Sequence, residues 1–175
     1  MTTSSYGERG ESALELFASR MENAINERRR THLGIVDARL ISRYAVAIGD
    51  PDPLYFDPAV ARSLGFADVV APPNLLAAVI DWGPGTDERE LLPDGTERSG
   101  SSPGLQTMGA GEEMEIVRYV TAGADVYEER FIESIVRKDG RSGPLVFVTT
   151  VHEFSDDTGA PLSRNRRTTV VRPYR

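Results

Sequence analysis

The sequence predicts an α+β fold with antiparallel strand pairing, on three observations. Up to residue 82 the apolar residues fall at helical spacing, and from residue 112 onward they fall at every second position. Two turn signals, DGRSG at 139–143 and SDDTG at 155–159, then divide the second half into consecutive hairpins. A few helices followed by a run of strands makes one antiparallel sheet with helices on it.

Each element can be justified in turn. Ser12 followed by Glu15 has the form of a capping box, and Leu14, Phe17, Met21 and Ile25 recur at helical spacing. Residues 12–29 are therefore expected to form an amphipathic helix, added in front of the rest, with 1–11 as a disordered tail. Arg28, Arg29 and Arg30 fall in its last turn, where cations interact well with the helix dipole; contact with an anionic ligand is the alternative. HLGIV at 32–36 is a short strand. Asp37 is placed to cap a helix with Leu40, Ile41, Tyr44, Ala45 and Ile48 on one side, and Gly49 ends it. Asp57 before Pro58 is a cap followed by a first-turn proline, so 58–64 should be a short helix stopped by Gly65. After Pro72-Pro73, the segment NLLAAVIDW (74–82) is apolar on nearly every side, which requires central burial. The sheet is expected to wrap around it. Residues 83–111 are rich in Gly, Pro, Ser and charge without any period and are expected as a long loop or insertion. Strands are expected at 112–120, 125–138, 144–154 and 161–172, and no internal repeat is present.

Composition sets limits on function. A chain of 175 residues fits a single domain, here 12–175, and buries enough surface to fold without disulfides or a structural metal. With no cysteine and only His32 and His152, Cys-ligated zinc, iron–sulfur clusters, thiol nucleophiles and multi-histidine metal sites are excluded. A net charge of −7 argues against a nucleic-acid partner. No apolar run of 18 residues and no signal peptide is present, so no membrane association and a cytoplasmic location are expected.

The densest polar cluster is Asp50, Asp52, Tyr55 and Asp57, in a loop ahead of a short helix. Functional groups concentrate in such loops, although Asp and Pro are also ordinary turn residues and Asp57 already has a capping role. His32 and His152 are expected to be structural or surface histidines. Arg164, Arg166 and Arg167 could contact a phosphate, but solubilising an edge strand explains them as well.

Residues 44–76, YAVAIGDPDPLYFDPAVARSLGFADVVAPPNLL, resemble the signature region of the MaoC-like (R)-specific enoyl-thioester hydratase/dehydratase family. GRSGPLVFVTTVHEFSDDTG at 140–159 resembles its closing hairpins, and the likeness runs over roughly residues 30–172. The resemblance implies a hot-dog fold: an antiparallel sheet wrapped around a central helix. The family pattern GDxNPxHxD holds an Asp and a His that act on the two sides of water addition to an α,β-unsaturated acyl thioester. Here Asp50 matches that Asp, Asp52 the Asn, and Tyr55 replaces the His. A phenol with a pKa near 10 is a poor proton-exchange group at neutrality. The family's IAHGM, whose glycine N–H polarises the thioester carbonyl, aligns with Val70, Ala71, Pro72, Pro73 and Asn74. Pro73 has no N–H to donate. Losing such a donor typically costs about 10²–10³-fold in rate, and losing a general acid/base about 10²–10⁴-fold.

YxD and APP in place of HxD and HGM resemble the family's non-catalytic N-terminal-type domain. The resemblance implies a substrate-accommodating subunit of a heterodimeric (R)-specific enoyl-CoA hydratase or 3-hydroxyacyl-thioester dehydratase. A catalytic hot-dog partner would carry the Asp/His pair. The ligand would be an acyl-CoA or acyl-carrier-protein thioester, bound in part by Asp50, Asp52, Tyr55, Pro73 and Asn74. No metal or redox cofactor is needed for adding water, and no catalytic residue is expected in this chain, where Asp50 and Tyr55 are degenerate positions. The 83–111 insertion would open a tunnel for bulky acyl groups. A self-sufficient homodimer using Asp50, and a thioester-binding module without catalysis, are the alternatives.

Overall fold

In a computed structural model of the chain, which describes residues 4–78, 89 and 104–174, four helices precede most of a five-stranded antiparallel sheet. The helices are α1 (Ser4–Asn23), α2 (Ala38–Ile48), α3 (Pro58–Ser63) and α4 (Leu75–Ala78), with a 3₁₀ turn at Pro53–Tyr55. The strands are β1 (Arg29–Ile35), β2 (Leu105–Ile116), β3 (Asp125–Gly140), β4 (Gly143–Asp156) and β5 (Pro161–Pro173), ordered β1-β3-β4-β5-β2 across the sheet. The architecture is the α+β arrangement the sequence predicted, and DGRSG and SDDTG make the β3–β4 and β4–β5 turns.

Local signals place the middle helices as expected. The Asp37 carboxylate accepts from Leu40 N–H at 2.7 Å, and Gly49 closes α2 in the left-handed conformation at φ 71°. Asp57 caps α3 through Ala59 N–H at 2.8 Å, with Pro58 in the first turn.

Three expectations fail. Helix α1 starts at Ser4, so residues 4–11, expected as a tail, are helical, and Ser12 lies inside the helix. It ends at Asn23 rather than residue 29: the chain leaves the helix, Asn26 turns at φ 63°, and its N–H donates to Ile132 O at 2.9 Å. Arg29 and Arg30 therefore belong to β1, not to a helix end. Strand β2 begins at Leu105, so 105–111 of the expected loop is strand; the alternation there is interrupted by a bulge between Gly109 and Gly111. The rest of the 83–111 segment, residues 89 and 104 apart, and residues 79–82 of the expected central helix lie outside the described residues.

Register fixes which side chains share a face. Val146, Val148, Thr150, His152 and Phe154 of β4 lie on the helix-covered side, opposite Val171, Thr169, Arg167, Asn165 and Ser163 of β5. Two apolar clusters occupy that side. One joins Leu75 and Leu76 of α4 to Ile41, Val36, Val126, Phe154 and Leu162; the other joins Leu14 and Ala18 of α1 to Leu105, Val146, Val148 and Val171. The outer side carries ion-paired arginines. Arg28 pairs with Glu129 and Glu153 over the Phe131 ring, and Arg166 pairs with Glu133 and Glu113. Among the described residues no helix is long and apolar enough to cross a membrane.

Candidate functional site

The loop between α2 and α3 folds back on itself. Asp50 follows the Gly49 cap and donates its N–H to Ala45 O at 3.0 Å, which fixes it against the end of α2. Its carboxylate accepts from Asp52 N–H at 3.2 Å, and the Asp52 carboxylate accepts from Leu54 N–H at 2.9 Å, capping the 3₁₀ turn. That turn brings the Tyr55 phenol near Asp50 and Asp52, close enough for both carboxylates to act on it. Burial first, then the Asp50 and Asp52 charges, push the phenol above its ordinary pKa. Tyr55, only 9% exposed, is thus a neutral phenol beside Asp50 at neutral pH.

The same loop is tied to the entrance of α4. Val70 N–H donates to Leu54 O at 2.9 Å, and Ala71 N–H to Val120 O at 2.7 Å. Pro72 is fully buried, Pro73 is exposed, and Asn74 is half-buried with its Oδ1 buried and unbonded among the described residues. Asp50, Asp52 and Tyr55 are brought into one constellation. Pro73 and Asn74 sit on the neighbouring segment, with no hydrogen bond to them among the described residues. Asp57 serves α3 as a cap. Exposed apolar side chains surround the loop: Phe56 stacks edge-on with Tyr55, and Tyr119, itself edge-on to Phe66, adds to the upward shift of Tyr55.

The histidines are paired with carboxylates, as structural histidines are. His32 stacks on Tyr127 and lies 2.6 Å from Asp125, and His152 Nδ1 lies 2.6 Å from Glu128. Arg164, Arg166 and Arg167 do not form one patch. The strand sends Arg164 and Arg166 to the outer ion pairs and Arg167 inward.

Reading the sequence missed a polar band between the two apolar clusters. Glu112 accepts from Asn165 Nδ2 and from Arg167 Nη2, each at 3.0 Å, and Arg167 also donates to Ala77 O of α4 at 3.3 Å. Burial raises the Glu112 pKa, but the Asn165 and Arg167 hydrogen bonds outweigh it and hold the carboxyl below its usual range. Its signal in the sequence is phase: Asn165 and Arg167 alternate with Val171 and so face inward. No group of three or more acidic or histidine side chains suited to a metal occurs among the described residues.

Comparison with known proteins identifies the fold and the family. A UPF0336 protein of Streptomyces avermitilis is 51% identical over 39 residues, 22% of this chain and 26% of that protein. One from Parafrankia sp. is 34% identical over 119 residues, 68% of this chain and 72% of that protein. The chain thus spans about a quarter of the first relative's length and nearly three quarters of the second's. Of solved structures, a chain of the ChsH1-ChsH2 complex from Mycobacterium tuberculosis superposes with TM-score 0.67 at 19% identity, covering 91% of this chain and 95% of that one. A MaoC-like dehydratase gives TM-score 0.66 at 22% identity, covering 86% of this chain and 42% of that one, so it is about twice as long. At such identities the likeness shows the fold, which is the hot-dog fold. Residues 29–164 match the family described as FAS1-like, dehydratase domain region, and the chain belongs to that family.

Proposed function

We propose that this chain is the non-catalytic, substrate-accommodating subunit of a heterodimeric (R)-specific enoyl-thioester hydratase or 3-hydroxyacyl-thioester dehydratase. The observation that carries the reading is Tyr55 itself, a phenol buried beside Asp50 and Asp52 and pushed above its ordinary pKa. Water addition needs a group that accepts a proton from water and one that returns a proton to carbon, both tuned near the working pH. A phenol held neutral by burial and by two adjacent carboxylates has no proton-accepting role there. Pro73 removes an N–H donor at the entrance of α4, where carbonyl polarisation would be expected.

The reacting groups would therefore come from a partner. Asp50, Asp52, Tyr55, Pro73 and Asn74 would line and orient an acyl-CoA or acyl-carrier-protein thioester. Two features support a hot-dog partner. Strand β2 is a twelve-residue sheet edge, largely exposed, with no further strand beside it among the described residues. Beside it Val117 and Tyr119 are exposed, 54% and 53%, close to the Tyr55 loop. Among chains of similar fold, one was solved as part of the ChsH1-ChsH2 complex.

The test is hydration of crotonyl-CoA and a longer enoyl-CoA, followed by loss of enoyl absorbance. The purified chain alone should give no turnover, and adding a hot-dog chain that retains the D-x-N-P-x-H and H-G motifs should give it. Asp50→Asn should change the rate of that pair only modestly. Robust turnover by the chain alone, abolished by Asp50→Asn, would establish the self-sufficient homodimer instead.

A further inference from the structure

The helix-covered side of the sheet holds a feature that the thioester reading does not use. Arg29 of β1 lies directly opposite Arg130 of β3, and Arg130 directly opposite His152 of β4. Like charges placed opposite each other across strands destabilise a sheet, and neither the Arg29 nor the Arg130 side chain has a hydrogen bond or ion pair among the described residues. Every arginine of the outer ladder named above has its carboxylate, so this inner pair stands apart. The two guanidiniums border a cavity of about 390 Å³, which Arg167 and His152 also line. Arg167 is held in place by Glu112, and His152 by Glu128, whose contact at Nδ1 leaves Nε2 for another partner. Glu27 is the single carboxylate in the described lining, against three guanidiniums. The remaining wall carries Thr150 and Thr169 and is otherwise apolar, with Met21 and Ala24 from the end of α1 and beyond it, and Ile132 and Val148 from the sheet. The volume falls in the range of small-molecule sites, about 300–1,000 Å³.

We propose that this cavity binds a small amphipathic anion, a carboxylate or phosphate monoester on a short apolar tail. The head is held between Arg29 and Arg130 with Arg167 and His152 beside it, and the tail lies against Met21, Ala24, Ile132 and Val148. A planar guanidinium offers paired donors to two oxygens of either head group, and an anion between two facing arginines converts a repulsive cross-strand pair into two charge-assisted contacts. The site is independent of the thioester reading, because it is measured on the isolated chain and uses none of the Asp50 loop.

The experiment is calorimetric titration of the purified full chain with decanoate, decyl phosphate and decanol. The variants Arg29→Gln, Arg130→Gln and their double are compared with Arg43→Gln, an exposed α2 arginine that removes the same charge elsewhere. Both anions are expected to bind, with decanol at least about tenfold weaker, and each inner arginine substitution is expected to weaken the anions about tenfold. Arg43→Gln should leave binding unchanged. The stronger of the two anions identifies the head group. Circular dichroism confirms that the variants fold, which is expected because both side chains are exposed and unbonded. Equal binding of decanoate and decanol, anion binding by the double variant at wild-type strength, or no binding of either anion would overturn the proposal.

Discussion

The two ends of the sheet's helix-covered side are built by different means. At one end α2, the 3₁₀ turn and α4 converge on Leu75, Ile41, Val36 and Val126, all without solvent exposure, and the Asp50–Tyr55 loop is braced against that cluster. At the other, a single helix, α1, lays Leu14 and Ala18 onto Val146, Val148 and Val171. The first end is a closed core that fixes the site's geometry. The second is one helix docked on a sheet, also held by Arg137 of β3, which pairs with Glu15 and Glu22. Between them runs the polar band of Glu112, Asn165, Arg167 and His152, so the apolar clusters are separate units joined by β3, β4 and β5. The lesson is that loss of one cluster need not carry the other with it, and only the first should govern the site.

The strongest way to break that comparison is Leu75→Ala. The side chain is fully buried where four elements meet, and a cavity there should cost about 3–5 kcal/mol in urea unfolding. Protection against hydrogen exchange should fall across α2, α4 and the Tyr55 loop together. Leu14→Ala should cost less, about 2–3 kcal/mol, because α1 can shift toward the sheet and partly close the gap. Exchange should then accelerate within Ser4–Asn23 while the Asp50 loop keeps its protection. If Leu14→Ala releases both ends equally, the two clusters form one cooperative unit and the contrast is wrong.

The same contrast explains which parts of the fold were legible. Asp37, Gly49, Asp57-Pro58 and the two hairpin turns were readable because caps and turns are decided within four or five residues. The limits of α1 were not. Glu15, read as half of a capping box, instead reaches Arg137, and the helix stops where Asn26 can bond Ile132; both events depend on a strand more than a hundred residues away. The first half of β2 was hidden because an exposed edge strand interrupted by Gly109 and Gly111 has no alternation to show. At the site, residue types revealed Asp50 and Tyr55, but only the fold shows the phenol buried beside the two carboxylates. The polar band stayed invisible because Glu112, Asn165 and Arg167 come together only through register.

Smaller substitutions sharpen the division. Tyr55→Phe removes the phenol hydroxyl beside Asp50 and Asp52 and should cost about 1 kcal/mol by chemical denaturation. Asp37→Ala removes the cap of α2 and should also cost about 1 kcal/mol. The two act at opposite ends of α2, 18 residues apart in sequence and without a shared partner, so the double variant should show additive losses. A clear excess over the sum would mean that α2 transmits strain from its cap to the site loop.

The turns at the two ends of β4 make the finest version of the comparison. At the α1 end, β3 and β4 are joined across Gly140 and Gly143 by a turn of two residues. At the site end, the β4–β5 turn is organised by one carboxylate. Asp156 accepts from Thr158 Oγ1 at 2.6 Å, Ala160 N–H at 2.9 Å and Thr158 N–H at 3.0 Å, and also pairs with Arg118. The Thr158 hydroxyl first, then Arg118, hold its pKa well below the ordinary 3.8. A carboxyl whose pKa is lower folded than unfolded stabilises the fold above the unfolded value. That stabilisation is lost as the pH falls through the ordinary value toward the folded one. Asp156→Asn keeps an acceptor for the turn but removes the charge, so wild type should unfold at higher urea than the variant at pH 6. The gap should shrink steadily below about pH 5. A gap that stays constant to pH 2.5 would assign the stability of this turn to its hydrogen-bond geometry alone and leave the Arg118–Asp156 pair without a part in it.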